Sequence, residues 1–231
     1  MLKQISLLIL CAVAIVFFAT PVHACTSAVV SGKVTPDGRP LLWKNRDTDF
    51  MRNHVDYVKG ERYDFIAVVN SANAYLKEAW MGTNSAGFAL MNTQSYNLVD
   101  VKGDEERGAA NGRVIYRALE VCATVEDFCH FLDTISKPSD IEANFGVIDA
   151  QGGAAMFEVD YYKYVMYDAN NPKDAPYGYI ARTNFSFAGK VNEGAGYVRY
   201  MEADQVLMKA SATGSITPQF IFNDLSRSFR N

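Results

Sequence analysis

The sequence predicts an α+β fold in which antiparallel sheets pack against helices on their outer sides. Three observations predict it. Short strand-like segments dominate the chain from residue 25 onward, turn signals such as the one at residues 35–38 join several of them into hairpins, and the helical segments come in pairs. The chain has no internal repeat or long linker, so we expect one domain over residues 25–231.

The first predicted hairpin brings two chemically interesting ends together. Residues 25–31 are rich in small and β-branched side chains, residues 35–38 form the turn, and residues 40–44 return. A hairpin carries the chain back to its start, so we expect Lys44 and the residues after it to lie near Cys25. The further predicted strands are residues 63–69, 78–81, 87–93, 145–149, 154–159, 162–167 and 177–183.

The predicted helices are marked by apolar periodicity and by capping signals. They are residues 112–122, 125–134, 198–209 and 218–225. Thr124, with Asp127 three residues later, indicates a capping box for the second helix. Thr217 before Pro218 indicates the start of the last one. Between strands and helices, residues 100–111 carry several charges and two glycines, which predicts a mobile loop.

Residues 1–24 have the pattern of a signal peptide. Lys3 precedes an apolar run over residues 5–19, and small residues occupy the positions before Cys25 that a signal peptidase recognises. The run has about 15 residues, whereas a membrane span needs about 20. We therefore expect cleavage before Cys25, by signal peptidase or autocatalytically, and export to a periplasmic or extracellular space. A retained signal anchor is the alternative, and no later segment predicts a membrane span.

Charge and histidine content exclude several function classes. The formal net charge is −4 and no basic stripe is present, so nucleic acid is not an expected partner. Only His54 and His130 lie beyond residue 24, and the sequence contains neither Gly-x-Ser-x-Gly nor His-Glu-x-x-His. A serine–histidine–aspartate triad or a histidine-based zinc site is therefore disfavoured.

The cysteines direct attention to residue 25. Cys122 and Cys129 fall in a stretch that reads helical, where seven residues span about 10 Å, too far for a disulfide. A helix break at Thr124 would weaken this argument against a disulfide. We nevertheless expect Cys122 and Cys129 to be buried free thiols. Cys25 becomes the first residue on cleavage. An N-terminal cysteine has both a thiol nucleophile and an α-amine whose pKa is about 7.7–8.0, so one residue can act as nucleophile and base.

Such chemistry needs a buried carboxylate near the amine and hydrogen-bond donors for an oxyanion. Asp47 follows the returning strand and is the candidate carboxylate, with Asp49 as its substitute in another register. Asn92 and Asn184 could present amides to the oxyanion. Arg199 could anchor the carboxylate or bind a charge on the substrate.

At these residues the chain resembles a known family. Cys25-Thr-Ser, followed by Trp43-Lys-Asn-Arg-Asp47, resembles the choloylglycine hydrolase and penicillin acylase group of N-terminal-nucleophile hydrolases, with the related isopenicillin N acyltransferases and acid ceramidase. In that family a segment Arg-Asn-x-Asp follows the first hairpin, so Asp47 matches its aspartate and Lys44 stands where many members have arginine. Lysine cannot make the bidentate contacts of arginine.

The resemblance implies a four-layer αββα sandwich and hydrolysis of a linear amide through an acyl-enzyme on Cys25. It also implies a small-molecule N-acyl amide as substrate and no metal or organic cofactor. By the same resemblance, Asn92 and Asn184 stabilise the oxyanion, Lys44 binds substrate, and Arg199 corresponds to a late catalytic-site arginine of the family that is followed by an aromatic residue.

Several alternatives stay open at this stage. Acyl transfer instead of hydrolysis needs only an amine in place of water. Cys25 could instead be the lipid-modified first residue of a non-catalytic surface protein. Asn184 also begins a glycosylation sequon. The chain ends without an evident closing strand, as a truncated chain would, and the sequence leaves homo-oligomerisation open.

Overall fold

The computed structural model describes residues 25–99 and 108–227. The predicted signal peptide and most of the predicted mobile loop at residues 100–111 lie outside the described residues. The described end of that loop forms a turn at residues 108–110 and then enters the first helix. None of the described helices has the length and apolar character needed to cross a membrane.

The strands and helices follow one another as short units along the described chain. The strands are β1 (Thr26–Val30), β2 (Leu41–Asn45), β3 (Asn53–Val58), β4 (Phe65–Asn70), β5 (Met81–Asn84), β6 (Ala89–Gln94), β7 (Ala143–Ile148), β8 (Ala154–Val159), β9 (Tyr164–Asp168) and β10 (Tyr179–Arg182). The helices are α1 (Asn111–Val121), α2 (Val125–Thr134), α3 (Tyr197–Ala212) and α4 (Pro218–Asn223).

Two antiparallel sheets result, which confirms the predicted α+β class. One sheet has three strands in the order β10-β1-β2, and the other has seven in the order β3 through β9. The predicted first hairpin is β1–β2, and it pairs Thr26 with Asn45 and Ser27 with Lys44. This register returns the chain to the start of β1, where Cys25 lies.

Three apolar clusters show that the sheets and helices form four layers. Val29, Met91 and Met156 belong to a cluster between the two sheets. Trp43 and Leu207 belong to a cluster between the three-stranded sheet and helices α3 and α4. The largest cluster, which includes the buried rings of Phe65, Phe88, Phe128, Phe145 and Phe157, joins the seven-stranded sheet to α1 and α2. The αββα arrangement implied by the resemblance is therefore present.

Gly146 of β7 shows how closely the two sheets approach. A Cβ at this position would overlap the methyl carbon of Met91 and lie 2.8 Å from Cγ2 of Val29. Contacts this short require neighbouring side chains to move, so only glycine fits without repacking. The tight contact fixes the separation of β1 from the larger sheet and hence the position of the residues at the start of β1.

The structure differs from the predicted elements at two strands. Strand β3 was missed; it is a mostly exposed strand in which Val55 and Tyr57 alternate with polar residues over a short stretch. The strand predicted at residues 78–81 begins only at Met81. Two residues earlier, the main-chain N–H of Ala79 donates a hydrogen bond to the main-chain oxygen of Gly112 in α1. This segment therefore contacts the helix layer before it joins the sheet as β5.

The capping box and the free thiols follow the sequence prediction. Thr124 accepts a hydrogen bond from the Asp127 amide, and the Asp127 carboxylate accepts one from the amide of Thr124. The break at Thr124 does separate α1 from α2, yet Cys122 and Cys129 are both free. Cys122 is buried, and burial raises its pKa to about 12, whereas Cys129 is half-buried. Cys122 is thus an inert core thiol.

Candidate active site

A cavity of about 280 Å³ opens where the start of β1 and the end of β2 meet the seven-stranded sheet. Its lining includes five of the six residues named from the sequence: Cys25, Lys44, Asp47, Asn92 and Asn184. Further lining residues are Arg46, Thr48, Phe50, Trp80, Gln94, Tyr96 and Gly108. The hairpin region and four distant segments, at residues 80, 92–96, 108 and 184, therefore converge on one site.

Cys25 lies directly before β1 and is partly buried. Side chains alternate along a strand, and Val29 faces the gap between the sheets, so Cys25 points to the same side. Its Sγ lies 3.7 Å from the main-chain oxygen of Asp47. The thiol is thus at the edge of the gap between the sheets, with one side in the core and the other facing the cavity.

Arg199, in the first turn of α3, holds Cys25 from the outer side of the small sheet. Its guanidinium donates hydrogen bonds to the main-chain oxygen of Cys25 at 2.5 Å and to Oγ1 of Thr26 at 3.0 Å. A third hydrogen bond, at 3.1 Å, goes to Oδ1 of Asn184. Burial lowers the pKa of Arg199, and the charges of Cys25 and Asp47 act in the opposite direction. Arg199 therefore orders the main chain at Cys25 and the amide of Asn184 together.

Lys44 extends from β2 into the cavity wall. Its ammonium donates to the main-chain oxygen of Trp80 at 2.9 Å and to Oδ1 of Asn92 at 3.1 Å. Burial lowers the pKa of Lys44 to about 8, against an opposing effect of Cys25. The ammonium thus links the small sheet to the large one beside the thiol, and a rise in pH slightly above neutral removes its charge.

Asp47 departs from the expectation of a buried carboxylate, because its side chain is exposed. Its main-chain oxygen, and not its carboxylate, contacts Cys25. Within the described ranges the carboxylate makes no hydrogen bond, although it lines the cavity. Asp49, the alternative from the sequence, does not line the cavity, so the register of the hairpin selects Asp47.

The two asparagines are both buried in the cavity wall, Asn92 on the large sheet and Asn184 after the last strand of the small one. Asn92 of β6 accepts from Lys44 through Oδ1, which leaves its amide nitrogen without a hydrogen-bond partner among the described residues. Asn184 follows β10, donates through Nδ2 to the main-chain oxygen of Gln94 at 2.9 Å, and accepts from Arg199. Asn184 is fully buried, which leaves no room for a glycan at its sequon.

A buried ion pair supports the segment that carries Asn184. Arg182 donates to the Glu158 carboxylate at 2.6 Å, and both side chains are almost completely buried. The same carboxylate accepts from the amides of Phe187 at 2.9 Å and Ala188 at 2.7 Å. Glu158 thus fixes the chain on both sides of Asn184, which is how the Thr-Asn motif is presented to the cavity.

Two further residues line the site: Arg46, which the hairpin was expected to bring near Cys25 but which was given no role, and Trp80, which the sequence reasoning missed. The Arg46 guanidinium lies 5.0 Å from the centre of the Trp80 ring, and its donors bind Asn53 of β3 and Asn70 of β4. The indole N–H of Trp80 is buried without a partner in the described part of the chain. No local signal marks Trp80, since only the packing of the small sheet against the large one brings it to the cavity.

A second, apolar cavity of about 340 Å³ lies farther along the same gap. Its walls come from β2 and from the inner face of β3, β4 and β5, and include Leu42, Val55, Ile66, Val68 and Met81. Leu42 and Lys44 occupy alternate positions on β2, so they face the same side. The apolar cavity therefore lies on the same side of β2 as the polar one, although the two share no lining residue among those described.

Comparison with known proteins identifies the family. The model of acyl-coenzyme A:6-aminopenicillanic acid acyl-transferase matches residues 34–205, which is most of the chain. The chain belongs to this acyltransferase family. The matched range begins after Cys25. A search of curated proteins finds no match.

Solved structures show that the chain has the fold of N-terminal-nucleophile hydrolases. It is similar to a mutant of conjugated bile acid hydrolase from Clostridium perfringens, with 14% identity, a TM-score of 0.51, and coverage of 87% of this chain and 74% of that one. It is also similar to the Caenorhabditis elegans ortholog of N-acylethanolamine-hydrolyzing acid amidase, with 16% identity, a TM-score of 0.57, and coverage of 87% and 89%. The predicted resemblance is thereby confirmed.

Proposed function

We propose that the protein cleaves a linear amide of an N-acyl small molecule, with Cys25 as an N-terminal nucleophile. The observation that carries the proposal is the position of Cys25, whose thiol borders a cavity walled by Lys44, Asn92 and Asn184 while Arg199 fixes its main chain. The family and the fold, shared with amide hydrolases and acyltransferases, support the same reaction class.

The proposed reaction starts when residues 1–24 are removed on export, which frees the amine of Cys25. The thiolate of Cys25 attacks the amide carbonyl, and the proton taken up by the α-amine passes to the nitrogen of the leaving amine. The C–N bond breaks and a thioester remains on Cys25. Water, activated by the same amine, then releases the acid. Asp47 would orient the ammonium form of the new terminus, because its carboxylate lies in the same cavity.

The oxyanion formed during attack needs donors that are already in place. The amide nitrogen of Asn92 is the best placed, because Lys44 occupies the oxygen of this side chain and orients the amide. Asn184 uses its amide for Gln94 and Arg199, so we assign it a smaller share of this role. The Lys44 ammonium adds positive charge beside the same site.

We place the acyl group of the substrate in the apolar cavity beside Leu42. This cavity lies on the side of β2 that Lys44 also faces, and it is walled by side chains of Val55, Ile66, Val68 and Met81. Burial of a hydrocarbon chain there would supply binding energy of about 0.8 kcal/mol per methylene group.

Acyl transfer is the second candidate, and the family description favours it. It differs from hydrolysis only in the final acceptor, since an amine instead of water would attack the thioester. Competition between water and an added amine separates the two: a transferase forms the new amide in preference to the free acid.

The experiment uses protein that begins at Cys25, assayed against phenylacetyl and long-chain acyl amides. We expect Cys25→Ala and Cys25→Ser to lose turnover at least about 1,000-fold, a magnitude typical of a removed nucleophile. Cys129→Ala, a change at the other partly exposed thiol, is the matched control. Native turnover by Cys25→Ala would refute the mechanism. Intact mass of exported protein tests the lipid-anchored alternative, because an acylated terminus is heavier and its amine is blocked.

A further inference from the structure

Arg46 is held rigidly at the edge of the candidate active site. It follows β2, and its guanidinium donates one hydrogen bond to Oδ1 of Asn53 and another, at 2.8 Å, to Oδ1 of Asn70. The same guanidinium lies 5.0 Å from the centre of the Trp80 ring. Two strands of the large sheet and an aromatic ring therefore fix a cation that a surface arginine would leave free to move.

Among the described residues, no side chain neutralises the positive charge of Arg46. Both hydrogen-bond acceptors are neutral amide oxygens, and no carboxylate of the described residues forms an ion pair with it. The cavity wall also contains Lys44, whereas Asp47 is its one carboxylate among the described lining residues. Partial burial lowers the pKa of Arg46, as expected for a guanidinium without an anionic partner.

A guanidinium that is oriented, partly desolvated and unpaired is a strong binding site for a carboxylate or sulfonate. A guanidinium has five N–H donors, so the two used on Asn53 and Asn70 leave others for a ligand. Attraction is stronger here than at an open surface because the Arg46 side chain is partly buried. The neutral asparagines orient the group without competing for its charge.

We propose that Arg46 determines substrate specificity by binding an anionic group, a carboxylate or a sulfonate, on the amide substrate. The inference rests on the proposed function of the cavity. Arg46 occupies the x position of the Arg-Asn-x-Asp pattern, where the pattern prescribes no residue, so the preference would be particular to this chain. The anion can belong to the amine fragment, as in an N-acyl amino acid, or to the acyl fragment, as in a dicarboxylic acid monoamide.

A purely structural role for Arg46, as a clamp between β2 and strands β3 and β4, makes a different prediction. Loss of a clamp would impair charged and neutral substrates equally. Loss of an anion site lowers the ratio of kcat/KM for a carboxylate substrate to that for its neutral carboxamide. The ratio therefore separates specificity from folding, and a melting curve reports stability independently.

The test compares Arg46→Gln and Arg46→Lys with the wild type on two matched pairs. The first pair is N-phenylacetylglycine and N-phenylacetylglycinamide, and the second is N-benzylglutaramic acid and its terminal carboxamide. We expect the wild type to prefer the carboxylate in one pair, which identifies the fragment that bears the anion. In that pair Arg46→Gln lowers the preference about 10- to 100-fold, the scale of a charged hydrogen bond, and Arg46→Lys lowers it less.

Arg39→Gln is the matched control, because Arg39 lies on the same hairpin at its opposite end and pairs with Asp37 at the surface. We expect it to retain the wild-type ratio. A wild type without preference in both pairs, or an Arg46→Gln ratio equal to that of the wild type, would overturn the inference.

Binding measurements keep this inference separate from the proposed function. Calorimetry with Cys25→Ala protein records the affinity for all four compounds without turnover. A carboxylate preference that disappears in the Cys25→Ala, Arg46→Gln double variant supports the anion site even if no amide is cleaved. Equal affinity for carboxylates and carboxamides overturns the anion site even if amides are cleaved.

Discussion

The guanidinium of Arg199 donates a hydrogen bond to the main-chain oxygen of Cys25 across 2.5 Å, although 174 residues separate them in the chain. The same side chain binds Asn184, so one arginine fixes the residue that leads into β1 and a buried amide of the cavity wall. In the proposed mature protein Cys25 has no preceding chain to hold it, and this contact would supply the missing constraint. Arg199 is therefore a positioning residue for the proposed nucleophile.

Replacing Arg199 should impair the reaction step more than binding. We expect Arg199→Met to lower kcat about 10- to 100-fold with a smaller change in KM, because small displacements of a reacting group are costly. Lys209→Met, a change to an exposed cation of the same helix, should retain native kinetics. Steady-state kinetics on both variants checks this, and an unchanged kcat in folded Arg199→Met would contradict the assigned role.

Lys44 should make stability depend on pH in a specific direction. Burial lowers the pKa of Lys44 from 10.5 to about 8 in the folded state, so between these values the unfolded chain binds more protons. The cost of burying the charge is fully present below about pH 8 and is removed as the pH approaches 10.5. The free energy of unfolding should therefore rise with pH, relative to a variant that lacks Lys44.

Denaturant titrations of wild type and Lys44→Met at about pH 7 and about pH 10 measure this difference. Between these two pH values we expect the free energy of unfolding of the wild type to rise by about 2 kcal/mol more than that of the variant, since one pKa unit corresponds to about 1.4 kcal/mol. Lys33→Met, at a surface lysine, is the control that should show no comparable gain. A constant difference between wild type and Lys44→Met would show that Lys44 has an ordinary pKa.

Asn92 should contribute to the transition state. Loss of one preorganised oxyanion donor costs about 100- to 1,000-fold in kcat, and we expect Asn92→Ala to fall in this range with little change in KM. Asn223→Ala, at the exposed end of α4, is the matched control. A kcat close to that of wild type for folded Asn92→Ala would assign the oxyanion to other donors.

A charge in the apolar cavity should select against long acyl chains. Val55 is 64% exposed, so Val55→Glu places a carboxylate at the cavity wall without burying it in the core. We expect kcat/KM for long-chain amides to fall about 10-fold or more, with little effect on acetyl amides, because each methylene contributes about 0.8 kcal/mol when buried. Tyr162→Glu, at a similarly exposed position in the turn between β8 and β9, should leave the chain-length profile unchanged. If kcat/KM depends on acyl-chain length in the same way in both variants, the acyl group does not bind in the apolar cavity.

Local patterns in the sequence predicted most of the fold. The turn at residues 35–38 predicted the first hairpin, and the capping box at Thr124 predicted the start of α2. Both depend on residues close in the chain. Strand β3 escaped prediction because its alternation, Val55 and Tyr57 between polar residues, is short and most of its side chains are exposed. Its stability comes from pairing with β4, which is a tertiary property.

The site residues could be predicted only where the first hairpin or a match to a family motif pointed to them. The return of β2 placed Lys44 and Asp47 beside Cys25, and the motif matches led to Asn92, Asn184 and Arg199. The sequence could not reveal that Arg199 binds a main-chain oxygen, or that the Asp47 carboxylate is exposed. It also gave no sign of Trp80, which reaches the cavity through the packing of separate strands.

The most direct test compares protein that begins at Cys25 with protein that carries one additional glycine before it. The extension converts the α-amine into an amide, which cannot carry a proton near neutral pH, but leaves the thiol and cavity in place. We predict that the extended protein, with an unchanged melting curve, loses amide turnover at least about 1,000-fold, as expected when nucleophile and base act as a unit. Equal turnover by the two proteins would contradict a mechanism in which Cys25 is both nucleophile and base.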